Sequence, residues 1–205
     1  MNRLCKNRRM VLASASPRRK ELLAQVGFEF DIITSDCEEI TTKTKPAEVV
    51  EELSCLKATD VAGKLDKQAE RLLIIGSDTV VALDDIIMGK PKDEEDAFLM
   101  LKALQGREHS VITGVTMIFT EPGKEDKKIV FSKETKVWFY SMNDDEIRAY
   151  IDTKEPMDKA GSYAIQGLCA AYIERIEGDY NTVFKDEEEE TDDIIEENEE
   201  KKPTT

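Results

Sequence analysis

The chain has 205 residues, 40% hydrophobic and 36% charged, with a formal charge of -15, which gives room for one domain with a sizeable core and hardly for two. That acidity excludes broad nucleic-acid affinity, which needs basic surface to displace counterions. Eleven of the fifteen residues from Asp186 to Glu200 are acidic, so with Lys201 and Lys202 the stretch from Asp186 onward carries -9 and leaves -6 for the rest.

Residues 1–9 form a basic extension with Arg3, Lys6, Arg8 and Arg9, but no apolar stretch of a signal peptide follows. Met10 to Ser14 reads as a buried strand closing on small residues. Ser16-Pro17 then opens a helix, with serine at the N-cap and proline at the first helical position. Leu22, Leu23 and Val26 give that helix an apolar face, and Gly27 stops it. Residues 28–34 suit a strand. Residues 46–65 suit a long helix with Val49, Val50, Leu53, Leu56, Val61 and Leu65 turned inward. Residues 72–83 are the strongest strand candidate, interrupted by Gly76-Ser77-Asp78-Thr79, and Asp84-Asp85 turns it into a hairpin with Ile86-Ile87-Met88. Lys92-Asp93 leads a helix through Leu104. Residues 111–119 and 129–140 pair around Glu121-Pro122-Gly123, and Asn143 caps a short helix to Ile151. Strands at 168–176 and 180–184 close the domain. Early alternation of strand and helix, followed by antiparallel pairs, predicts an α/β protein on a mixed sheet. The domain spans 10–185, and 186–205 is expected to be a disordered acidic tail, since Ile194-Ile195 can bury too little to order it.

No apolar run approaches the ~20 residues of a membrane-spanning helix. Four cysteines, Cys5, Cys37, Cys55 and Cys169, contain no CxxC pair. They read as reduced thiols of a cytoplasmic protein rather than a disulfide framework or zinc site.

The single histidine, His109, lies between Glu108 and Ser110 and reads as a solvated strand residue. Acid–base and metal work therefore falls to carboxylates, lysines and arginines, a set suited to phosphate chemistry with a hard cation. At Ala13-Ser14-Ala15-Ser16-Pro17-Arg18-Arg19 a strand end meets a helix N-terminus, which favours an anion. Arg18 and Arg19 oppose the helix dipole there unless a polyphosphate sits between them; the plainer alternative is that both are solvated. Asp78 is bounded by Ile74-Ile75 and Val80-Val81, so it is either a desolvated functional carboxylate or a turn cap at a strand end. Lys90, on the Gly89-Lys90-Pro91 corner, is a weak signal alone. Glu39 and Lys57 are unremarkable in isolation.

Together, Ser14-Ala-Ser-Pro-Arg-Arg19 with Leu22-Leu23, Gly76-Ser-Asp-Thr79, Gly89-Lys-Pro91 and the run from Asp158 to Gly167 resemble the Maf family in order and spacing, over residues 10–182. The resemblance implies an elongated Maf/Ham1 fold with a central mixed sheet and a cleft between two lobes. It implies hydrolysis of a nucleoside triphosphate to the monophosphate and pyrophosphate, dependent on Mg2+ or Mn2+. Ser14, Arg18, Arg19, Lys57, Lys90 and Lys159 would surround the triphosphate. Asp78 would be the proton acceptor, and Glu39 with Asp78 would hold the metal. Arg18, Thr79 and Gln166 match the specificity positions of the dTTP/UTP branch, so pyrimidines are favoured over 7-methyl-GTP. A homodimer is also implied, although nothing in the sequence demands one. One departure stands out: after Val183 the family's Gly-Leu-Pro-Leu segment and closing helix give way to Phe184-Lys185 and the acidic stretch. That leaves a non-catalytic regulator with the same fold as the competing expectation.

Overall fold

The computed structural model describes residues 7–180. The acidic tail, most of the basic extension and all but the first residue of the strand expected at 180–184 lie outside them. In chain order the elements are β1 (Arg9–Ala13), α1 (Pro17–Gln25), β2 (Asp31–Ile32), α2 (Pro46–Gly63), β3 (Leu72–Leu83), β4 (Ile86–Met88), α3 (Glu94–Leu104), β5 (Glu108–Phe119), β6 (Lys127–Phe139), α4 (Asp144–Asp152) and β7 (Ile173–Glu177). Three short 3-10 turns, at 155–158, 160–162 and 168–172, link α4 to β7. Among the described residues no helix is long and apolar enough to cross a membrane.

The strands form one mixed sheet in the order β2-β1-β3-β5-β6-β7, with β4 also paired to β3. β1 runs parallel to β2 and β3, and the pairs from β3 through β5 and β6 to β7 are antiparallel. The expected α/β class on a central mixed sheet is what the chain adopts.

Several expectations change. β3 is not interrupted: Gly76, Ser77, Asp78 and Thr79 stand in register opposite Thr116, Val115, Gly114 and Thr113, because the β5 ladder holds them straight. The strand expected at 28–34 shrinks to two residues, since the Phe28 amide is taken by the Leu23 carbonyl at the end of α1. Residues 168–172 turn as a 3-10 helix, and the last strand starts only at Ile173. In α2, Leu56 is 36% exposed rather than inward, because the buried row runs through Leu53, Ser54, Ala58 and Val61.

Alternation along β3 sorts the core onto two faces. Leu72 and Ile74 pack with Ala58, Val61 and Ala62 of α2, and Val80 and Ala82 pack with Val49, Val50 and Leu53 farther along the same helix. On the other face Leu73 and Ile75 meet Leu23 of α1, while Val81 joins the cluster built by α3 and α4. Each such buried aliphatic side chain stabilises by roughly 1.5–3 kcal/mol relative to exposure. Ser77, Asp78 and Thr79 belong to none of these clusters, so the polar stretch lies between apolar groups at either end of β3.

α2 crosses the sheet at very short range. A Cβ on Gly76 would lie 2.5 Å from the Ser54 carbonyl oxygen, and one on Gly114 would lie 2.3 Å from that of Val50. Both neighbours are helix backbone, so only glycine allows this approach.

His109 is the clearest misreading. It is 3% exposed, with Nε2 2.7 Å from the Tyr163 hydroxyl and its ring edge-on to Phe139 and Tyr163. β5 begins at Glu108 rather than Val111, which brings His109 into the sheet and against the α3–α4 cluster. Burial pushes the imidazole down to about 4 from 6.5, against a small pull from Glu108. A depressed folded value means the native state binds the proton less readily than the unfolded chain. Its stabilising contribution is therefore complete above pH 6.5 and lost as pH falls through about 4, a loss on the order of 3 kcal/mol. In melting curves between pH 4 and 8, His109→Gln should lose stability on acidification less steeply than the parent. Parallel curves would show that His109 does not carry this term.

Candidate active site

β3 pairs with β5 along one edge over residues 73–82. Its other edge pairs with β1 at residues 72–76 and with β4 at 81–83. Among the described residues, 77–80 therefore have no strand neighbour on that side. Ser14, Arg19, Glu39, Lys57, Asp78 and Thr79 come together at this gap through direct contacts, whereas Lys90, Lys159 and Gln166 lie on the segments beyond β4.

At the β1 end, the chain leaves the sheet after Ala13 and enters α1. The Ser14 hydroxyl accepts the Ser16 amide at 3.1 Å and the Arg19 Nη1 at 3.2 Å. Ser14, rather than the Ser16 side chain, thus organises the start of α1, since Ser16 makes no capping bond. The Arg19 Nη2 reaches Thr79 Oγ1 at 3.3 Å, and Thr79 in turn contacts Thr113 Oγ1 at 2.9 Å. Thr113, 1% exposed, had no sequence signal beyond lying on a strand, yet it fixes the hydroxyl that Arg19 engages. Desolvation draws the Arg19 guanidinium below its ordinary value, opposed by Asp78 and Glu39. Arg18 is exposed on the first turn of α1.

On the α2 face, Lys57 Nζ lies 2.6 Å from Asp78 Oδ1 and 3.0 Å from Glu39 Oε2. The Lys57 and Asp78 side chains are 12% and 11% exposed, whereas Glu39 is 55% exposed. Asp78 is therefore a buried strand carboxylate, not a turn cap. Burial raises its carboxyl above the ordinary value, while Lys57 and then Arg19 pull it down and Glu39 pushes it up.

A second cationic group lies at the β4 end. Lys159 Nζ is 2.5 Å from Asp158 Oδ1, and the Asp158 carboxyl is held below its ordinary range by Lys159 first and by the more distant Lys90. The Gly161 amide donates to the Gly89 carbonyl at 3.0 Å, tying this loop to the corner that carries Lys90. Asp158 had no assigned role from sequence; its place between two lysines could have been suspected only from its adjacency to Lys159. Gln166 follows on the same loop, half-buried, its Nε2 donating to the Tyr180 carbonyl at 3.2 Å.

The donor set also bears on the expected metal. Glu39 and Asp78 converge on one ammonium, and two carboxylates with the remaining positions left to water and phosphate suit Mg2+. No group of three or more His, Cys, Asp or Glu converges among the described residues, so an all-protein cage is not what they offer. The arrangement can hold a polyanion between two cationic groups and present a desolvated carboxylate to a water beside it.

Residues 9–184 match the Maf-like protein family. The chain belongs to that family. Among curated proteins, this Maf-like chain is 49% identical over 175 residues to the dTTP/UTP pyrophosphatase of Thermoanaerobacter sp. (strain X514), covering 85% of this chain and 88% of that one. It is 50% identical over 177 residues to the dTTP/UTP pyrophosphatase of Clostridium botulinum (strain Alaska E43 / Type E3), covering 85% and 91%. Among solved structures, the Staphylococcus aureus Ham1 protein aligns over 93% of the Maf-like chain and all of its own, at 16% identity and a TM-score of 0.43, a likeness too slight to argue from.

Proposed function

We propose that the chain hydrolyses dTTP and UTP between the α- and β-phosphates, releasing the nucleoside monophosphate and pyrophosphate. The observation that carries this is Asp78: a buried carboxylate clamped by Lys57 at the open edge of β3, between two cationic groups. The activity named for relatives at 49–50% identity supports the same reading. Within it, the enzyme works in the cytoplasm on the nucleotide pool.

Asp78 Oδ1 accepts the Lys57 ammonium, which leaves Oδ2 to take a proton from water. That water attacks the α-phosphorus as the bond to the bridging oxygen breaks, and the departing pyrophosphate carries the charge. Burial lifts the Asp78 carboxyl toward the range in which a carboxylate is a useful base. Arg18, Arg19, Lys90 and Lys159 meet the developing charge, and losing one such stabiliser typically costs ~10²–10³ in rate. Mg2+ or Mn2+ held by Glu39 and Asp78 would add positive charge at the phosphates.

Pyrophosphate release from purified protein with Mg2+ or Mn2+ tests this across dTTP, UTP, CTP, GTP and 7-methyl-GTP. The expected order places dTTP and UTP first. A clear preference for 7-methyl-GTP, or no turnover at all, overturns the reading.

Thr79 and Gln166 carry neutral side chains suited to reading a base edge rather than phosphates. Gln166→Ala is therefore expected to change the ratio of dTTP to GTP turnover by about tenfold while inhibition by pyrophosphate stays nearly constant. An equal fall for all nucleotides would assign Gln166 to the phosphates instead.

A further inference from the structure

Gln166 sits on residues 164–169, a loop running into the 3-10 turn at 168–172, with no strand partner among the described residues. Two side chains hold it, Tyr150 of α4 and Glu155 of the 3-10 turn that follows α4. Glu155 Oε2 accepts the Leu168 amide at 3.0 Å, and Oε1 accepts the Cys169 amide at 3.4 Å together with the Tyr150 hydroxyl at 2.8 Å. The Tyr150 hydroxyl oxygen in turn accepts the Ala164 amide at 3.2 Å. One carboxylate and one phenol thus hold the backbone on both sides of Gln166. The fit is close: a Cβ on Gly167 would lie 2.5 Å from each carboxylate oxygen of Glu155.

We propose that Glu155 and Tyr150 are positioning residues for base selection, fixing residues 164–169 so that Gln166 meets the nucleobase in one orientation. This rests on the reading of Gln166 given above. Three donors converge on Glu155, and only an acceptor-only group satisfies all of them. Desolvation pushes the Glu155 carboxyl up, but the Leu168 amide, the Tyr150 hydroxyl and the Cys169 amide outweigh it, with help from Lys159. The group stays anionic, and its bonds gain the strength of charge assistance. Tyr150 is 3% exposed, and burial raises its hydroxyl so that it remains a donor. A loop held at its hydrogen bonds rather than by a ladder can be released without removing any core side chain. Glu155→Gln does this by placing an NH2 donor where one of the two oxygens accepts.

The experiment compares the parent enzyme, Glu155→Gln, Tyr150→Phe and Gln166→Ala with dTTP, UTP and GTP, alongside pyrophosphate inhibition and melting temperature. Displacing a recognition group by about 1 Å can cost up to ~100-fold, so both loop variants should lower the dTTP to GTP ratio about tenfold or more. Pyrophosphate inhibition should stay within about twofold, because the phosphate-binding cations are untouched. Adding Glu155→Gln to Gln166→Ala should not change the ratio further, since both act through one side chain. Tyr150→Phe keeps the packed ring and guards against a Glu155 variant that fails to fold. If Gln166→Ala alters the ratio but Glu155→Gln and Tyr150→Phe only lower the melting temperature, the clamp is structural and the proposal is overturned. If the parent shows no preference, or Gln166→Ala leaves it intact, the reading of Gln166 fails first and takes this proposal with it.

Discussion

Asp78→Asn is expected to lower pyrophosphate release from dTTP by about 10³-fold or more, within the range that loss of a general base commands. The change is isosteric, and the amide oxygen can still accept the Lys57 ammonium that lies 2.6 Å from Oδ1. What disappears is the oxygen able to take a proton from water. Binding without added metal should survive, because the arginines and lysines that meet the phosphates remain, and it can be followed as the rise in melting temperature on adding nucleotide. The pH profile of the parent carries the same information. Burial raises the Asp78 carboxyl above 3.8, so activity should climb with pH through that raised value and not through an ordinary carboxylate range. Near-normal turnover by Asp78→Asn would remove Asp78 from the role of base.

Lys57→Met should reduce turnover by about 10²–10³ and shift the acid limb of the profile upward. The direction follows from the charges: Lys57 pulls the Asp78 carboxyl down while burial and Glu39 push it up, so removing Lys57 raises it further. Stability follows the same sign. A carboxyl whose folded value exceeds its unfolded value weighs against the native state once pH rises through the folded value. Breaking such a buried pair costs about 3 kcal/mol, so Lys57→Met should be least stable relative to the parent near pH 7. The gap should narrow as acid protonates Asp78. Lys57→Arg is not a conservative control, because the planar fork cannot place a compact charge between two carboxylates 2.6 and 3.0 Å away. A pH-independent difference in melting temperature would show that the cost is packing, not charge.

Much of this was legible in the sequence because it lies in short-range pattern. β1 and α2 carry their apolar patterns locally, and Asn143 with Glu146 forms the capping box that starts α4. The motif residues Ser14, Arg19, Lys57, Asp78 and Thr79 do fall into contact. What could not be read depends on partners distant in sequence. His109 looked solvated because its partners, Phe139 and Tyr163, are 30 and 54 residues away. The polar run in β3 looked like a break because its ladder partner is β5. Thr113 and Glu155 act through hydroxyl and backbone contacts that no spacing announces.

The close passage of α2 over Gly76 and Gly114 has a consequence for how the protein can vary. Lys57 reaches Asp78 from a helix whose height above the sheet is set by backbone meeting backbone. A side chain at either glycine lifts that helix and withdraws the ammonium, so one lesion weakens fold and turnover together. A stabilising second-site change elsewhere can restore the first and not the second. Mutational drift therefore treats these two residues as part of the reacting centre, although neither brings a functional group to it.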